Sequence, residues 1–219
     1  MKLIQLTTIK AAKQEFGGLS NTSKMPGYSW NLPALTSCPV GDKLAKIPGS
    51  VCHGCYATKG RYLFGNVQKS MTTHLEGIYR EDWVDIMTFM INKQCVGKKR
   101  YFRWHDSGDL ISMDYFKKII QVCNNTPNVS HWLPTREYSL IRRYKKDGGE
   151  VPSNLCIRLS AHMIDGPGPK MRDMTISTVS TGDKPEGSVR CKAYTREGKC
   201  ASCRACWNSK VQHIDYKKH

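Results

Sequence analysis

Residues 99–109 read KRYFRWHDSGD, and this stretch determines how the rest of the chain is interpreted. Its first seven residues are rich in aromatic side chains and predict a short β-strand, and the polar sequence DSGD predicts a loop directly after it. Ser112 then predicts the N-cap of a helix. That helix has an apolar face formed by Met113, Phe116, Ile119, Ile120 and Cys123. The stretch therefore predicts one βα unit.

The same unit recurs along the chain. Further strands are predicted at residues 129–133, 155–159 and 174–179. A helix is predicted at residues 137–146, between the first two of these strands. Upstream, apolar residues return at helical spacing over residues 66–95, where Gly77 allows either one helix or two. Alternating strands and helices predict an α/β fold with parallel βα units. We expect an incomplete TIM-like barrel of four or five strands with a cysteine-rich C-terminal segment, and an open sheet is the alternative.

Three segments are distinguished within one compact domain. Residues 1–65 form an N-terminal wrapping segment and a cysteine loop, in which residues 38–52 predict a loop folded around a site rather than a helix or strand. Residues 66–185 form the βα core. Residues 186–219 form a cysteine-rich metal-binding segment.

Polar side chains follow the predicted strands. In barrels and in open parallel sheets, the chemistry gathers at the carboxyl ends of the strands. We therefore expect catalytic residues in the loop after the first strand, and loop polarity or helix capping is the alternative role. These catalytic candidates are His105, Asp106, Ser107 and Asp109. The ends of the next two strands add Thr135, Arg136, Glu137, Ser160 and His162.

The charge balance predicts a polyanionic partner. The 219 residues include 34 Lys and Arg against 18 Asp and Glu, a formal net charge of +16. Such an excess usually indicates nucleic-acid binding, and a solvated basic surface is the alternative. No apolar run approaches the ~18 residues of a membrane span, and the N-terminus has no apolar signal-peptide region. We therefore expect a cytoplasmic protein with no membrane partner.

Ten cysteines are the most informative part of the composition. In a reducing compartment this number favours metal binding over disulfides. Cys191, Cys200, Cys203 and Cys206 follow the spacing C-x8-C-x2-C-x2-C. The tight run favours an iron–sulfur cluster, which cysteine thiolates hold, and a zinc site is the alternative. The cysteines that stand alone are Cys95, Cys123 and Cys156.

A second cysteine set lies near the N-terminus. Cys52 and Cys55 form a C-x2-C pair in the sequence CHGCYATKGRY, and Cys38 lies upstream. Three protein ligands on a four-iron cluster leave one iron open, and an open position is what a catalytic metal site needs. The alternative is a single shared site, in which some of these three cysteines join the C-terminal four.

Five motifs, in this order, carry a resemblance to a known family. They are NTSKMPGYSWNLPAL, SCP, CHGCYATKGRY, RWHDSGD and KCASCRACW, spread over residues 21–207. Together they resemble the phage-encoded gene-88-like protein family. The resemblance implies a location in the cytoplasm of the host cell, and it implies no particular reaction.

The order of the elements also resembles that of radical S-adenosylmethionine enzymes. In that superfamily a cysteine loop precedes a helix and a strand ending in a Gly-Gly-Glu-like motif, which holds the amino group of the cofactor. Ser107-Gly108-Asp109 would be the equivalent here, although the superfamily's C-x3-C-x2-C is absent. The resemblance implies a 4Fe-4S cluster on the N-terminal cysteines, an auxiliary cluster on the C-terminal ones, and S-adenosylmethionine as cofactor. The residues expected to bind that cofactor are Ser107, Gly108, Asp109, Arg136 and Ser160.

Two classes of function follow. The first is a radical S-adenosylmethionine-like enzyme that acts on nucleic acid or a nucleotide-like substrate. The second is a non-catalytic nucleic-acid-binding protein in which an iron–sulfur cluster or zinc has a structural role. In that surface, cations would neutralise phosphates and aromatic rings would stack on bases, unless they pack in the core or line a solvated face. The side chains concerned are Tyr101, Arg103, Trp104, Arg136, Tyr138, Arg142 and Arg143.

Overall fold

Residues 8–218 are described by a computed structural model, and they contain one parallel β-sheet. Its strands are β1 (Tyr28–Trp30), β2 (Tyr101–Trp104), β3 (Ser130–Thr135), β4 (Leu155–Ser160), β5 (Thr175–Ser180), β6 (Val189–Arg190) and β7 (His213–Lys217). They pair in the order β1-β2-β3-β4-β5-β7-β6, and every pairing is parallel.

The α-helices of the described residues lie mostly between these strands. They are α1 (Ile9–Phe16), α2 (Pro39–Ala45), α3 (Gly65–Gly77), α4 (Trp83–Gln94), α5 (Met113–Asn125) and α6 (Tyr138–Lys146). Short 3-10 turns occupy residues 56–58, 60–63, 97–99, 192–195 and 205–207.

The first five strands lie side by side in chain order, with α5 between β2 and β3 and α6 between β3 and β4. A doubly wound sheet instead reverses its strand order in the middle. Strands added steadily in one direction are the arrangement of a barrel arc. The sheet ends at β1 on one side and β6 on the other, so it is open. The predicted α/β fold of parallel βα units is confirmed, and it is consistent with an incomplete barrel.

One face of the sheet packs against helices. Along β2, buried Phe102 and Trp104 alternate with the less buried Tyr101 and Arg103, because successive side chains of a strand point to opposite faces. Phe102 and Trp104 join the apolar faces of α4 and α5 in one continuous core, in which Phe116 is fully buried. Ser112 caps α5 as expected, since its hydroxyl accepts a hydrogen bond from the Tyr115 amide at 3.1 Å.

The opposite face of the sheet is covered by the C-terminal segment. Trp132 of β3 and Ile214 of β7 pack there against Cys206 and Trp207. The Trp207 indole donates a hydrogen bond to the Phe102 carbonyl at 2.9 Å. The cysteine-rich segment is therefore part of the domain's packing.

Sequence reasoning was wrong on two points of the fold. Residues 38–52 were expected to form a loop, but α2 occupies Pro39–Ala45, with proline at its first position as helices favour. Four or five strands were expected, and the described residues form seven. The added strands are β1, β6 and β7. By contrast, residues 66–95 do form two helices, and the first ends at Gly77.

Candidate active-site cavity and cysteine centres

A cavity of about 510 Å³ opens at the carboxyl ends of the strands. Its walls come from the ends of β2, β3, β4, β5 and β7 and from the N-terminal cysteine segment. It brings together most of the predicted site residues. These are Cys38, Cys52, Cys55, His105, Asp106, Ser107, Gly108, Asp109, Arg136 and Ser160.

The three N-terminal cysteines reach the cavity from the two ends of α2. Cys38 immediately precedes this helix, and Cys52 and Cys55 lie in the turns that follow it. The Val51 amide donates to the His162 carbonyl at 2.9 Å, which ties those turns to the chain just after β4. The cysteines are thus held against the strand ends by backbone bonds.

Gly41 leaves room for two of these sulfurs. A Cβ atom at Gly41 would lie 3.6 Å from Cys52 Sγ and 3.7 Å from Cys38 Sγ. It would also lie 2.8 Å from the Cβ of Cys38, which is closer than two side-chain carbons can approach. Glycine is therefore needed at this position, and the two thiols share a space that any other residue would fill.

A buried carboxylate from a distant segment fixes the start of α2. Glu137, which follows β3, accepts a hydrogen bond from the Val40 amide at 2.7 Å. Burial raises the pKa of Glu137 to about 7, although the Val40 amide opposes the rise. The Thr135 hydroxyl in turn accepts from the Glu137 amide at 3.0 Å, which fixes the turn before α6. The N-cap of α6 is Glu137, with no side-chain cap, so Thr135 does not have the capping role that sequence allowed. Cys38 is therefore positioned by the end of β3.

Asp109 is fully enclosed by hydrogen-bond donors. Its Oδ1 accepts from the Thr135 hydroxyl at 2.6 Å and from the Leu110 amide at 2.8 Å, and its Oδ2 accepts from the Arg136 amide at 2.9 Å. Burial raises its pKa, while these three bonds oppose the rise. The carboxylate thus joins the ends of β2 and β3, which is a positioning role.

The loop before Asp109 is packed against the N-terminal segment. Gly108 has φ +87°, and a Cβ there would lie 2.5 Å from the Leu32 Cβ and 2.8 Å from Ser37 Oγ. The Ser107 hydroxyl donates to the Leu32 carbonyl at 2.7 Å. Ser107 and Gly108 therefore both position this loop against the N-terminal segment.

Asp106 lies beside a buried cation at the cavity wall. Arg103 stacks over the Trp132 ring at 4.6 Å. Burial raises the pKa of Asp106, and the Arg103 guanidinium opposes the rise. The Tyr56 hydroxyl donates to the Asp106 carbonyl. One carboxylate oxygen of Asp106 and Nε of Arg103 have no hydrogen-bond partner among the described residues. Both residues contribute to the lining of the cavity.

His105 points its ring away from that wall. Its Nε2 lies 2.9 Å from the Tyr115 hydroxyl of α5, on the helix side of the sheet. Burial lowers the pKa of His105 to about 3, and Arg103 lowers it further. The ring is therefore neutral at neutral pH and packs in the core, while its backbone, at φ +58°, turns the chain into the loop.

The remaining strand-end residues differ in how far their side chains already make contacts within the protein. The Arg136 backbone holds Asp109, and its side-chain Nε has no partner within residues 8–218. The Ser160 hydroxyl accepts from Ser177 at 3.2 Å. His162 stacks on Tyr138 with ring centroids 4.4 Å apart, so it supports the wall.

The protein surroundings raise the pKa of two N-terminal thiols, Cys38 and Cys52. Burial raises the pKa of Cys38 to about 12, and the Asp109 carboxylate raises it further. Burial also raises the pKa of Cys52, which the Arg136 guanidinium opposes. Metal binding requires thiolates and releases their protons, so a bound metal would supply the missing positive charge.

The C-terminal cysteines form a second group outside the cavity lining. Burial raises the pKa of Cys200, and the neighbouring Cys191 and Cys203 raise it further. Burial also raises the pKa of Cys206 to about 12, with smaller contributions from Cys191 and Cys200. Tyr216 touches both regions, because it lines the cavity and its hydroxyl lies 3.2 Å from Cys206 Sγ. The two cysteine sets are therefore neighbours but distinct.

A fully buried arginine lies beside the C-terminal group. Arg158 donates to the carbonyls of Val211, Ala205 and Asn208 at 3.0, 3.3 and 3.4 Å. It forms no salt bridge with the residues that the structure describes. Its charge lowers the pKa of Cys206. A buried cation with no counter-ion favours an anionic group nearby.

Sequence reasoning missed several cavity residues. The cavity is also lined by Trp132, Tyr56, Tyr216 and Lys217. Aromatic residues in strands are equally typical of a buried core, so the sequence did not indicate that they line a cavity. The position of Tyr56 directly after Cys55 is the signal that could have found one of them. Trp104 is fully buried, so the core-packing role expected for it is confirmed and it does not stack on nucleic acid.

The ligating side chains of the described residues do not form a site for a single metal ion. Within residues 8–218, no three His, Cys, Asp or Glu side chains surround one point as ligands of a single metal ion. A cluster places different demands on its cysteines, because each thiolate binds its own iron. The lone cysteines Cys95, Cys123 and Cys156 are buried in the sheet and helix packing.

These features define an α/β protein with an open parallel sheet and a cysteine-lined cavity at its strand ends. The chain belongs to the Gene product 88 family, whose family model matches residues 2–209. The predicted gene-88-like, phage-encoded family is thereby confirmed. Searches of curated proteins and of solved structures gave no significant match. Among the described helices, none is long and apolar enough to span a membrane.

Proposed function

We propose that this protein is an iron–sulfur enzyme of the radical S-adenosylmethionine-like type, acting on nucleic acid or a nucleotide-like substrate. One observation carries the proposal: Cys38, Cys52 and Cys55 converge on the cavity at the carboxyl ends of the strands. The Ser-Gly-Asp loop after β2 lines the same cavity. Parallel βα folds place their chemistry at this edge.

The N-terminal cysteine set fits a cluster with an open iron. The donors are three thiols on one cavity, and Gly41 keeps side-chain atoms out of the space between Cys38 and Cys52. A 4Fe-4S cluster held here would supply a single electron for reductive cleavage of S-adenosylmethionine. The chain's own groups would orient the ligand and shield it from water.

Within that cavity, the lining residues Arg136 and Asp106 would make the ligand contacts. Asp109 accepts three protein hydrogen bonds, so we assign it to positioning the loop. Arg136 and Asp106 each keep a buried atom with no partner in the described chain. We expect Arg136 to hold a carboxylate or phosphate of the ligand and Asp106 to accept from an amine or hydroxyl.

The C-terminal set would hold an auxiliary cluster. Four thiols lie together beside Arg158, whose buried charge has no carboxylate partner among the described residues. A thiolate-bound centre is anionic, so it would offset this charge. Zinc on the same four thiolates would offset it too, which makes metal analysis the deciding measurement.

The first test is the iron, sulfide and zinc content of protein purified without oxygen. About eight irons per chain would support two clusters, and about four would support one. Cys52→Ser and Cys203→Ser should each lower the iron content, and Cys123→Ser, a buried cysteine outside both sets, should leave it unchanged. Zinc without iron would overturn the radical-enzyme proposal.

The second test is cleavage of S-adenosylmethionine to 5′-deoxyadenosine by the reduced protein. Wild type and Cys123→Ser should form the product, and Cys55→Ser should lose more than a hundredfold of the rate. An iron-loaded wild type that forms no product and shows no cofactor-induced change in its EPR signal would contradict catalysis.

The second candidate is a non-catalytic nucleic-acid-binding protein whose fold is stabilised by a bound metal. The net charge of +16 and the exposed cations Arg142 and Arg143 on α6 favour it. This candidate predicts salt-dependent binding to nucleic acid together with metal but no cofactor cleavage. Lack of binding at low ionic strength would remove it.

A further inference from the structure

Residues 56–64, which we call the rim segment, expose unusual side chains beside the cavity. Tyr56, Leu63 and Phe64 are 60%, 63% and 57% exposed. Lys59 and Arg61 lie exposed among them. Large apolar side chains exposed next to one another mark binding surfaces more often than isolated ones do.

The rim segment lies in a long stretch without acidic residues. From residue 43 to residue 75 the chain carries five Lys or Arg and no Asp or Glu. No salt bridge of the described residues involves Lys59 or Arg61. Cations without acidic neighbours, interleaved with aromatic rings, are the composition of surfaces that bind single-stranded nucleic acid.

Tyr56 connects the rim segment to the cavity. Its ring packs edge-on against Tyr62, with centroids 5.8 Å apart, and its hydroxyl donates to the Asp106 carbonyl. Tyr56 also lines the cavity. An aromatic ring whose hydroxyl is anchored while its surface stays exposed is a rigid platform for a stacked base.

We propose that the rim segment binds a single-stranded polynucleotide and directs one nucleotide into the cavity. This inference names the substrate class of the site proposed above and rests on that function. Lys59 and Arg61 neutralise backbone phosphates, and Tyr56 and Phe64 stack on bases. The cavity of about 510 Å³ holds one nucleotide at a time, so a base within a duplex must first leave its stack.

The test is fluorescence anisotropy of the full-length, anaerobically purified protein with fluorescein-labelled dT15, U15 and a 15-base-pair DNA duplex. Both single strands should bind tighter than the duplex, and comparison of dT15 with U15 distinguishes DNA from RNA. Phe64→Ala should weaken binding about tenfold, as expected for loss of one stacked base. Lys59→Ala/Arg61→Ala should lower the salt slope of log K by about 1.4, since each single-strand phosphate contributes about 0.7.

Matched controls locate the surface. Lys93→Ala/Lys117→Ala removes the same charge from exposed positions of α4 and α5, and Tyr79→Ala removes an aromatic residue that is 72% exposed outside the rim segment. Both controls should bind dT15 as wild type does. Equal weakening by the Lys93→Ala/Lys117→Ala variant, or tighter binding of duplex than of single strand, would overturn the proposal.

The two proposals fail in different ways. Cofactor cleavage by a protein that binds no oligonucleotide would overturn the rim inference and leave the enzyme proposal intact. Binding that depends on the rim segment, in a protein that cleaves no cofactor, would overturn the enzyme proposal and support a binding protein. A rim variant that loses self-association, with no nucleic-acid binding in wild type, would assign the surface to a second copy of the chain.

Discussion

Gly108 occupies a position that a single methyl group would disturb. Its φ of +87° lies in the left-handed region, and a Cβ would lie 2.5 Å from the Leu32 Cβ. Gly108→Ala should therefore lower the free energy of unfolding by about 1–3 kcal/mol. Chemical denaturation measures this, and Gly182→Ala is the control because nothing lies within 4 Å of a Cβ there. Equal stability of the two variants would contradict the packing described for this loop.

Asp109 should behave as a structural carboxylate. Asp109→Asn places an amide N–H where the Arg136 amide donates to Oδ2, so two donors face each other. We expect a loss of about 1–3 kcal/mol in the free energy of unfolding. Denaturant melts of Asp183→Asn, at an exposed loop position, provide the control. An unchanged midpoint for Asp109→Asn would mean that its hydrogen bonds contribute nothing.

His131 should make the fold sensitive to acid. Its Nε2 lies 2.8 Å from the Thr126 hydroxyl, and burial lowers its pKa from 6.5 to about 3. The unfolded chain therefore binds a proton between pH 6.5 and 3 that the folded chain does not bind. Stability contributed by the neutral ring is complete above pH 6.5 and is lost as pH falls toward 3.

Replacement of His131 should make the free energy of unfolding less dependent on pH. Relative to wild type, His131→Gln should reduce the slope of unfolding free energy against pH by up to about 1.4 kcal/mol per pH unit in this window. Urea melts between pH 4 and 7 measure the slope. Parallel curves for the two proteins would show that His131 titrates normally in the folded state.

At the scale of elements, α2 depends on a residue from another part of the sheet. Its Val40 amide is bonded to Glu137, 97 positions away, and Cys38 lies directly before the helix. Glu137→Ala should speed hydrogen exchange of the Val40 amide by about fivefold or more, as expected for a lost cap of about 1 kcal/mol. Glu137→Gln keeps an acceptor and should have a smaller effect.

The Tyr115 amide, bonded to Ser112 at the start of α5, serves as the internal reference for that exchange experiment. It should stay protected in both Glu137 variants. If the two amides respond alike, Glu137 acts through global stability rather than through α2.

At the scale of the whole molecule, Trp207 attaches the C-terminal segment to the sheet. Its ring packs against Trp132, with centroids 5.2 Å apart, and its indole donates to the Phe102 carbonyl. Trp207→Phe should cost about 1 kcal/mol for the hydrogen bond, and Trp207→Ala about 3–5 kcal/mol for the buried ring. Thermal denaturation measures both.

Limited proteolysis adds a local measurement to the same pair. Trypsin should cleave after Lys192, Arg196 or Lys199 faster in Trp207→Ala than in Trp207→Phe. Indistinguishable cleavage of both variants and wild type would mean that the segment stays attached without this ring.

Local sequence patterns were sufficient to predict the βα core. The helices from α3 to α6 and the strands β2 to β5 follow from the spacing of apolar residues, because each pattern is local and long enough to be read. The cysteine sets were predicted from the spacing of the cysteines, and the strand-end residues from their position directly after each predicted strand. Local patterns also suffice to place polar residues at strand ends, so the polar part of the cavity wall at the ends of β2, β3 and β4 was predictable.

Which distant residues come into contact became known from the three-dimensional fold. Strands of two or three residues, such as β1 and β6, have too little pattern to be recognised, and they exist because a neighbouring strand pairs with them. Contacts between Glu137 and Val40, or between Tyr56 and Asp106, join segments far apart in the chain. Local propensity does not encode such contacts, since they depend on how the chain closes. The same closure turned His105 toward α5 and occupied Asp109 with three donors, which distinguishes positioning groups from those open to a ligand.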